Sequence, residues 1–207
     1  MVVAHRPGVD GLPDVLAPLL GVPVVLRAAR AVLASGAIDR VVLLVDPEGE
    51  AAARRLVDGL PVTLHTDPLE AARCAQGSGP VVLHDVARPL ASPALAEAVT
   101  RAVAAGHAVA VPALPLSDTV KHVDVADTVA GSPDRSGLRV LQTPQAFRAG
   151  VLCTDVLAKV LASDEPLEQA WTAADQPAVT VPGHPLAFAV RSRWERDLAE
   201  VLGRDDT

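Results

Sequence analysis

The sequence predicts an α/β protein, a mostly parallel sheet with helices on both faces. Two observations carry this. Continuous apolar runs such as "RVVLLVDP" (40–47) and "PVVLHD" (80–85) read as strands covered on both sides, not as the alternation of a half-exposed strand. Helical stretches separate these runs in regular turn, and strand–helix alternation is the mark of parallel βαβ units.

The elements follow in order. Residues 2–4 ("VVA") end a first strand. Residues 23–35 place Val25, Leu26, Ala29, Val32 and Leu33 on one helical face, with Pro23 suited to the first turn and Gly36 to the stop. Strand 40–47, helix 48–60, strand 61–67 and strand 80–85 come next. Helix 92–106 has Ser92 as N-cap, Pro93 as first helical residue and Gly106 as its end. Strand 107–114 closes this half. From about 115 to 147, alternation in "SDTVKHVD" and the turn-rich "ADTVAGSPDRSGL" predict a β-arm set into the α/β core. A helix (148–162), a short helix (165–173), strands 178–183 and 186–190, and a last helix (192–202) complete the chain. Repeats and low-complexity linkers are absent, so residues 1–207 are expected to form one domain with its arm.

Composition narrows the function classes. The net charge of −7 and only four aromatic residues (Phe147, Trp171, Phe188, Trp194) argue against nucleic acid as a partner. No apolar run reaches the roughly 18 residues of a membrane span. Met1 precedes a short strand-like piece rather than a signal sequence, and Cys74 and Cys153 form no CxxC pair, so a reduced, cytoplasmic setting is expected. The chain holds no GxxxxGK[ST] loop, no GxSxG elbow and no HExxH.

One strand end stands out. In "VVLHDVARPL" (81–90) an apolar strand runs into His84, Asp85 and Arg88. Ligands of open α/β sheets bind beyond the carboxyl ends of strands, where Asp85 sits. Asp85 and Arg88 are either a turn cap with its ion partner or two charges at the mouth of a ligand site. His84 reads as a satisfied strand-end histidine.

Five dispersed motifs then carry a resemblance: "HDVARP" (84–89), "DTVK" (118–121), "PDRSGL" (133–138), "QTPQAF" (142–147) and "SDE" (163–165). In order and spacing they resemble the methylerythritol phosphate cytidylyltransferases of isoprenoid biosynthesis. The resemblance implies a Rossmann-like nucleotidyltransferase fold (GT-A-like), a three-layer sandwich. It implies transfer of a cytidylyl group from CTP to methylerythritol phosphate with Mg²⁺, and a homodimer clasped by the β-arm. It places Asp85 at the junction of the two substrates and beside the Mg²⁺. With Asp85 it gives Arg88, Thr119, Arg135 and Ser163 as substrate-binding positions, the last three toward a sugar-phosphate ligand.

The nucleotide half departs from the family pattern. Asp14 and Ala189 stand where the family has lysines, Arg191 stands at a threonine, and the loop at 5–11 lacks the family's glycine spacing. The cytosine-reading stretch has no counterpart in "TDPLEAARCAQ" (66–76). Of 18 basic residues only Lys121 and Lys159 are lysines, so Arg6 and Arg191 are the candidate substitutes. Losing one preorganised donor costs about 10²–10³ in rate, and an aspartate near a triphosphate adds repulsion. Three readings follow. The chain is a family member with weakened or lost transfer and poor CTP uptake, an active cytidylyltransferase with a rearranged phosphate-binding loop, or a non-catalytic structural dimer.

Overall fold

In the computed structural model, which describes residues 2–4, 16–163 and 167–204, the apolar runs lie at the centre of one eight-stranded sheet. In chain order the elements are β1 (Val2–Ala4), β2 (Pro18–Leu19), β3 (Val22–Pro23), α1 (Val24–Leu33), β4 (Val41–Leu44), α2 (Glu50–Leu56), β5 (Val62–His65), α3 (Pro68–Ala75), β6 (Val81–Asp85), α4 (Pro93–Ala104) and β7 (Val109–Pro115). Then come β8 (His122–Val123), β9 (Val129–Gly131), β10 (Arg139–Leu141), β11 (Gln145–Phe147), α5 (Thr154–Ala162), a 3₁₀ helix (Leu167–Ala174), β12 (Ala178–Pro182) and α6 (Arg193–Leu202). The strand order is β10-β7-β11-β6-β1-β4-β5, with β12 also along β7. The pairs β1–β4, β1–β6, β4–β5 and β7–β12 are parallel; β10 and β11 run antiparallel to their neighbours.

Side chains of a strand point alternately to its two faces, so a strand covered on both sides feeds two cores. That is what happens here. Val41, Leu43 and Val82 join Val25, Val32, Val99 and Val103 under α1 and α4. Val42, Leu44, Val81 and Leu83 join Ala71, Phe147, Leu157 and Leu161 under α3 and α5. Helices on both faces of a sheet make the three-layer sandwich.

Four local expectations change. The stretch 68–75 is a helix, α3, capped by Asp67, whose side chain accepts from the Glu70 amide at 2.8 Å, with Pro68 in the first turn. The helix expected over 148–162 begins only at Thr154, and the short helix after it is 3₁₀ over 167–174. Residues 186–190 form no strand; they belong to a loop. The end of the expected arm, 139–147, enters the main sheet as β10 and β11, leaving the β8–β9 hairpin as the part that pairs apart from it. Among the described residues no helix is long and apolar enough to cross a membrane.

Candidate functional site

The sheet's topology gathers three chain segments at one edge. Ala4, the last residue of β1, is in register with Asp85 of β6, so the chain leaves β1 beside that carboxylate. Ala146 of β11 faces both Val82 and Ala110, which sets Ala113 level with Asp85. Beyond Ala113, β7 runs out into the arm, while Leu141 and Pro182 pair with Ala113.

At this edge Asp85 is 9% exposed, and both of its carboxylate oxygens are engaged. Oδ1 accepts from the Ala87 amide at 2.8 Å, an Asx-type turn that bends the chain off the strand. Oδ2 accepts from Nη2 of Arg191 at 3.1 Å. The Asp85 amide donates to Oγ1 of Thr143 at 3.0 Å, and Nδ1 of the buried His84 lies 3.1 Å from the same oxygen. The turn-capping expectation for Asp85 therefore holds, but among the described residues its ion pair is with Arg191, not Arg88. Arg88 is 5% exposed, and its Nη1 donates to the Ala187 carbonyl.

Arg191 reaches Asp85 because the loop before it is fixed from several sides. Gln142, 2% exposed, donates through Nε2 to the carbonyls of His184 (2.8 Å) and Ala187 (3.2 Å) and accepts from the His184 amide at 2.9 Å. Gly183 lies so close to this clamp that a Cβ there would sit 2.5 Å from Gln142 Oε1 and 3.0 Å from the Ala113 backbone. The Val190 amide donates to Ala87 O at 2.7 Å. Ser192 then caps α6 by accepting from the Glu195 amide, and Glu195 Oε2 accepts from the Arg191 amide at 2.8 Å. Sequence reasoning missed Gln142 and Thr143. The available signal was the pair of polar residues in "LQTPQAF", between apolar neighbours in a segment expected to return to the core.

The arm candidates lie apart from this network. Thr119 and Arg135 are exposed. Nη1 of Arg135 donates to the carbonyls of Ser117 (3.3 Å) and Asp118 (3.2 Å), which ties the two limbs of the arm together next to Thr119. Lys121 Nζ donates to Ser132 Oγ across the same limbs. Two carboxylates of the arm are held below the usual range: Asp124 by the amides of Thr128 and Ala126, Asp134 by the amide and hydroxyl of Ser136. Ser163 closes α5, its amide on Val160 O. Ala189 is half-buried and offers only a methyl group. Arg6 and Asp14 lie outside the described residues.

Residues 5–200 match the family described as 2-C-methyl-D-erythritol 4-phosphate cytidylyltransferase, IspD. The chain belongs to that family. A protein of that name from Nocardia farcinica is 37% identical over 200 residues, covering 92% of this chain and 85% of the relative. One from Streptomyces avermitilis is 35% identical over 214 residues, covering 93% and 84%. Among solved structures, the cytidylyltransferase of Thermus thermophilus superposes with a TM-score of 0.73 at 25% identity over 98% of each chain. The 4-diphosphocytidyl-2C-methyl-D-erythritol synthase of Anaerococcus prevotii, 19% identical, reaches 0.77 over 98% of this chain and 96% of its own, a likeness of fold. Ligands of open α/β sheets bind beyond the carboxyl ends of the strands, which makes the edge around Asp85 the candidate site. The described residues hold no cluster of three or more metal-ligating side chains. Asp85 by itself fits Mg²⁺, which keeps several waters and leans on one or two carboxylates plus substrate phosphates.

Proposed function

We propose that this chain is an active cytidylyltransferase that makes CDP-methylerythritol from CTP and 2-C-methyl-D-erythritol 4-phosphate. The observation that carries this reading is the Arg191–Asp85 pair. A guanidinium stands 3.1 Å from the junction carboxylate although Ala189 has taken the place of a lysine. Its side chain is 38% exposed, against 13% for Asp85, so it can turn toward an incoming phosphate. Arginine presents a planar fork of donors that suits phosphate oxygens.

In the reaction a phosphate oxygen of methylerythritol phosphate attacks the α-phosphorus of CTP. The bond from that phosphorus to the bridging oxygen of the β-phosphate breaks, and pyrophosphate leaves with the electron pair. Arg191 neutralises charge that develops on the phosphate oxygens, and the clamp of Gln142, Arg88 and Gly183 fixes the loop backbone that leads to it. Mg²⁺, held by Asp85 and the substrate phosphates, would draw two anions together. Thr119, Arg135 and Ser163 would bind the sugar phosphate, with the arm serving a second copy of the chain in a homodimer. The unpaired Cys74 and Cys153 suit work in the reducing cytoplasm.

A second reading, transfer much weakened, is favoured by Asp14 and Ala189 at the family's lysine positions. One assay separates the two: purified protein with CTP, methylerythritol phosphate and Mg²⁺, followed by pyrophosphate release. Turnover at the ordinary rate of the family supports the first reading. Release slowed 10⁴-fold or more, as losing two donors at about 10² each would give, supports the second.

A further inference from the structure

A cleft of about 430 Å³ lies between α1, the turn 89–93 that leads into α4, and Gly203 at the end of α6. Its volume is that of a small-molecule site. Arg27 and Arg30 both line it. They are three residues apart on α1, so the helix puts them on one face.

We infer that this cleft is a second ligand site, one that takes the phosphate or diphosphate group of a small organic molecule. Three helix arginines have carboxylate partners one turn away: Arg54 with Glu50, Arg101 with Glu97, Arg196 with Glu200. Arg27 and Arg30 have none among the described residues. The Nε–H of Arg27 is buried without an acceptor, a state that costs free energy. Among the described residues no carboxylate lines the cleft. In a protein of net charge −7, two uncompensated guanidiniums in one concavity make a local positive spot. The start of α4 adds to it. The Ser92 side chain caps no amide there, and the first turn carries no acidic residue, so nothing in the first turn itself offsets the positive end of the helix. The other walls, Val22, Leu90 and Leu186 among them, are apolar and suit the carbon part of such a ligand.

The cleft is also continuous with the Asp85 edge. Its turn wall follows Arg88 directly, and Leu186 precedes Ala187, whose carbonyl receives both Arg88 and Gln142. An occupant would therefore press on the loop that carries Arg191. The inference does not depend on cytidylyl transfer.

Calorimetric titration with inorganic phosphate and with pyrophosphate, in 0.15 M salt, tests it on the full chain, alone and as Arg27→Gln, Arg30→Gln and Arg191→Gln variants. The expected result is saturable binding of at least one probe that weakens about tenfold or more in Arg30→Gln, as loss of a charge-assisted hydrogen bond would give, and persists in Arg191→Gln. Arg30 is exposed, so its variant should fold even if Arg27→Gln does not. Absence of binding overturns the inference. So does binding that Arg191→Gln abolishes and Arg30→Gln leaves intact, because the anion would then sit at the Asp85 edge.

Discussion

Asp85 gives one oxygen to the Ala87 amide and the other to a guanidinium 106 residues along the chain. The first contact is local and was legible in "HDVARP"; the second depends on how a distant loop folds, and no spacing rule announces it. Arg191 was visible as a cation near a missing lysine, but its position beside Asp85 follows from Gln142 and Gly183, to which the sequence assigned no role, and from Arg88, which was expected to meet substrate rather than the Ala187 carbonyl. Two outcomes follow at this scale. Arg191→Gln should lower kcat by about 10²–10³ while leaving the thermal midpoint nearly unchanged. It should also lower the Mg²⁺ concentration needed for half-maximal rate, because the cation that shares Asp85 is gone. A steady-state Mg²⁺ titration reads both, and an unchanged kcat would remove Arg191 from the chemistry. Gln142→Ala leaves the His184 amide and carbonyl without their clamp and should cost about 2 kcal/mol in denaturant unfolding, because buried polar groups lose their partner.

Among the elements, those with a continuous apolar run or a full set of caps were the readable ones. β4, β6, α1 and α4 lie within a few residues of expectation, since burial on both faces and Pro, Ser and Gly at the ends act locally. α3 was overlooked although Asp67 and Pro68 announce it. "LAFAV" has strand composition but ends as a loop because its backbone groups go to Gln142, Arg88 and Ala87 instead of a ladder. The arm shows how turn chemistry replaces a core. Its side chains are almost all exposed, and its bends are set by Asp124 and Asp134 accepting amides two and four residues on. Both carboxyls are held below their ordinary value of 3.8 by those bonds. A carboxyl whose folded value is depressed stabilises the fold above the unfolded value and loses that contribution as pH falls through the folded one. The arm turns should thus be intact at pH 5 and loosen only below pH 3.8. Side-chain NMR titration should give both midpoints under 3.8, and a midpoint at or above it for Asp124 would mean that its turn does not form in solution.

The whole molecule carries a mismatch between its two parts. The α/β body buries most of its apolar side chains in cores on the two faces of the sheet, whereas the arm leaves Val123, Val125 and Val129 exposed along the β8–β9 hairpin, which pairs with no strand of the main sheet. An isolated two-stranded hairpin is marginal in water, and contiguous exposed apolar surface marks an interaction site. A second copy of the chain, its arm laid against the first, would cover those valines and order the two limbs that bear Thr119 and Arg135. Sedimentation equilibrium at micromolar concentration should therefore give twice the chain mass of 21.3 kDa. Val125→Asp with Val129→Asp should shift the protein to the monomer, since a charge in an apolar interface must be desolvated. Far-UV circular dichroism should stay unchanged, because neither residue touches the cores. Activity should fall with the loss of the dimer if the arm serves the partner's sugar-phosphate site. A wild-type protein that sediments as a monomer across that range would leave the arm valines without a reason and sink the dimer.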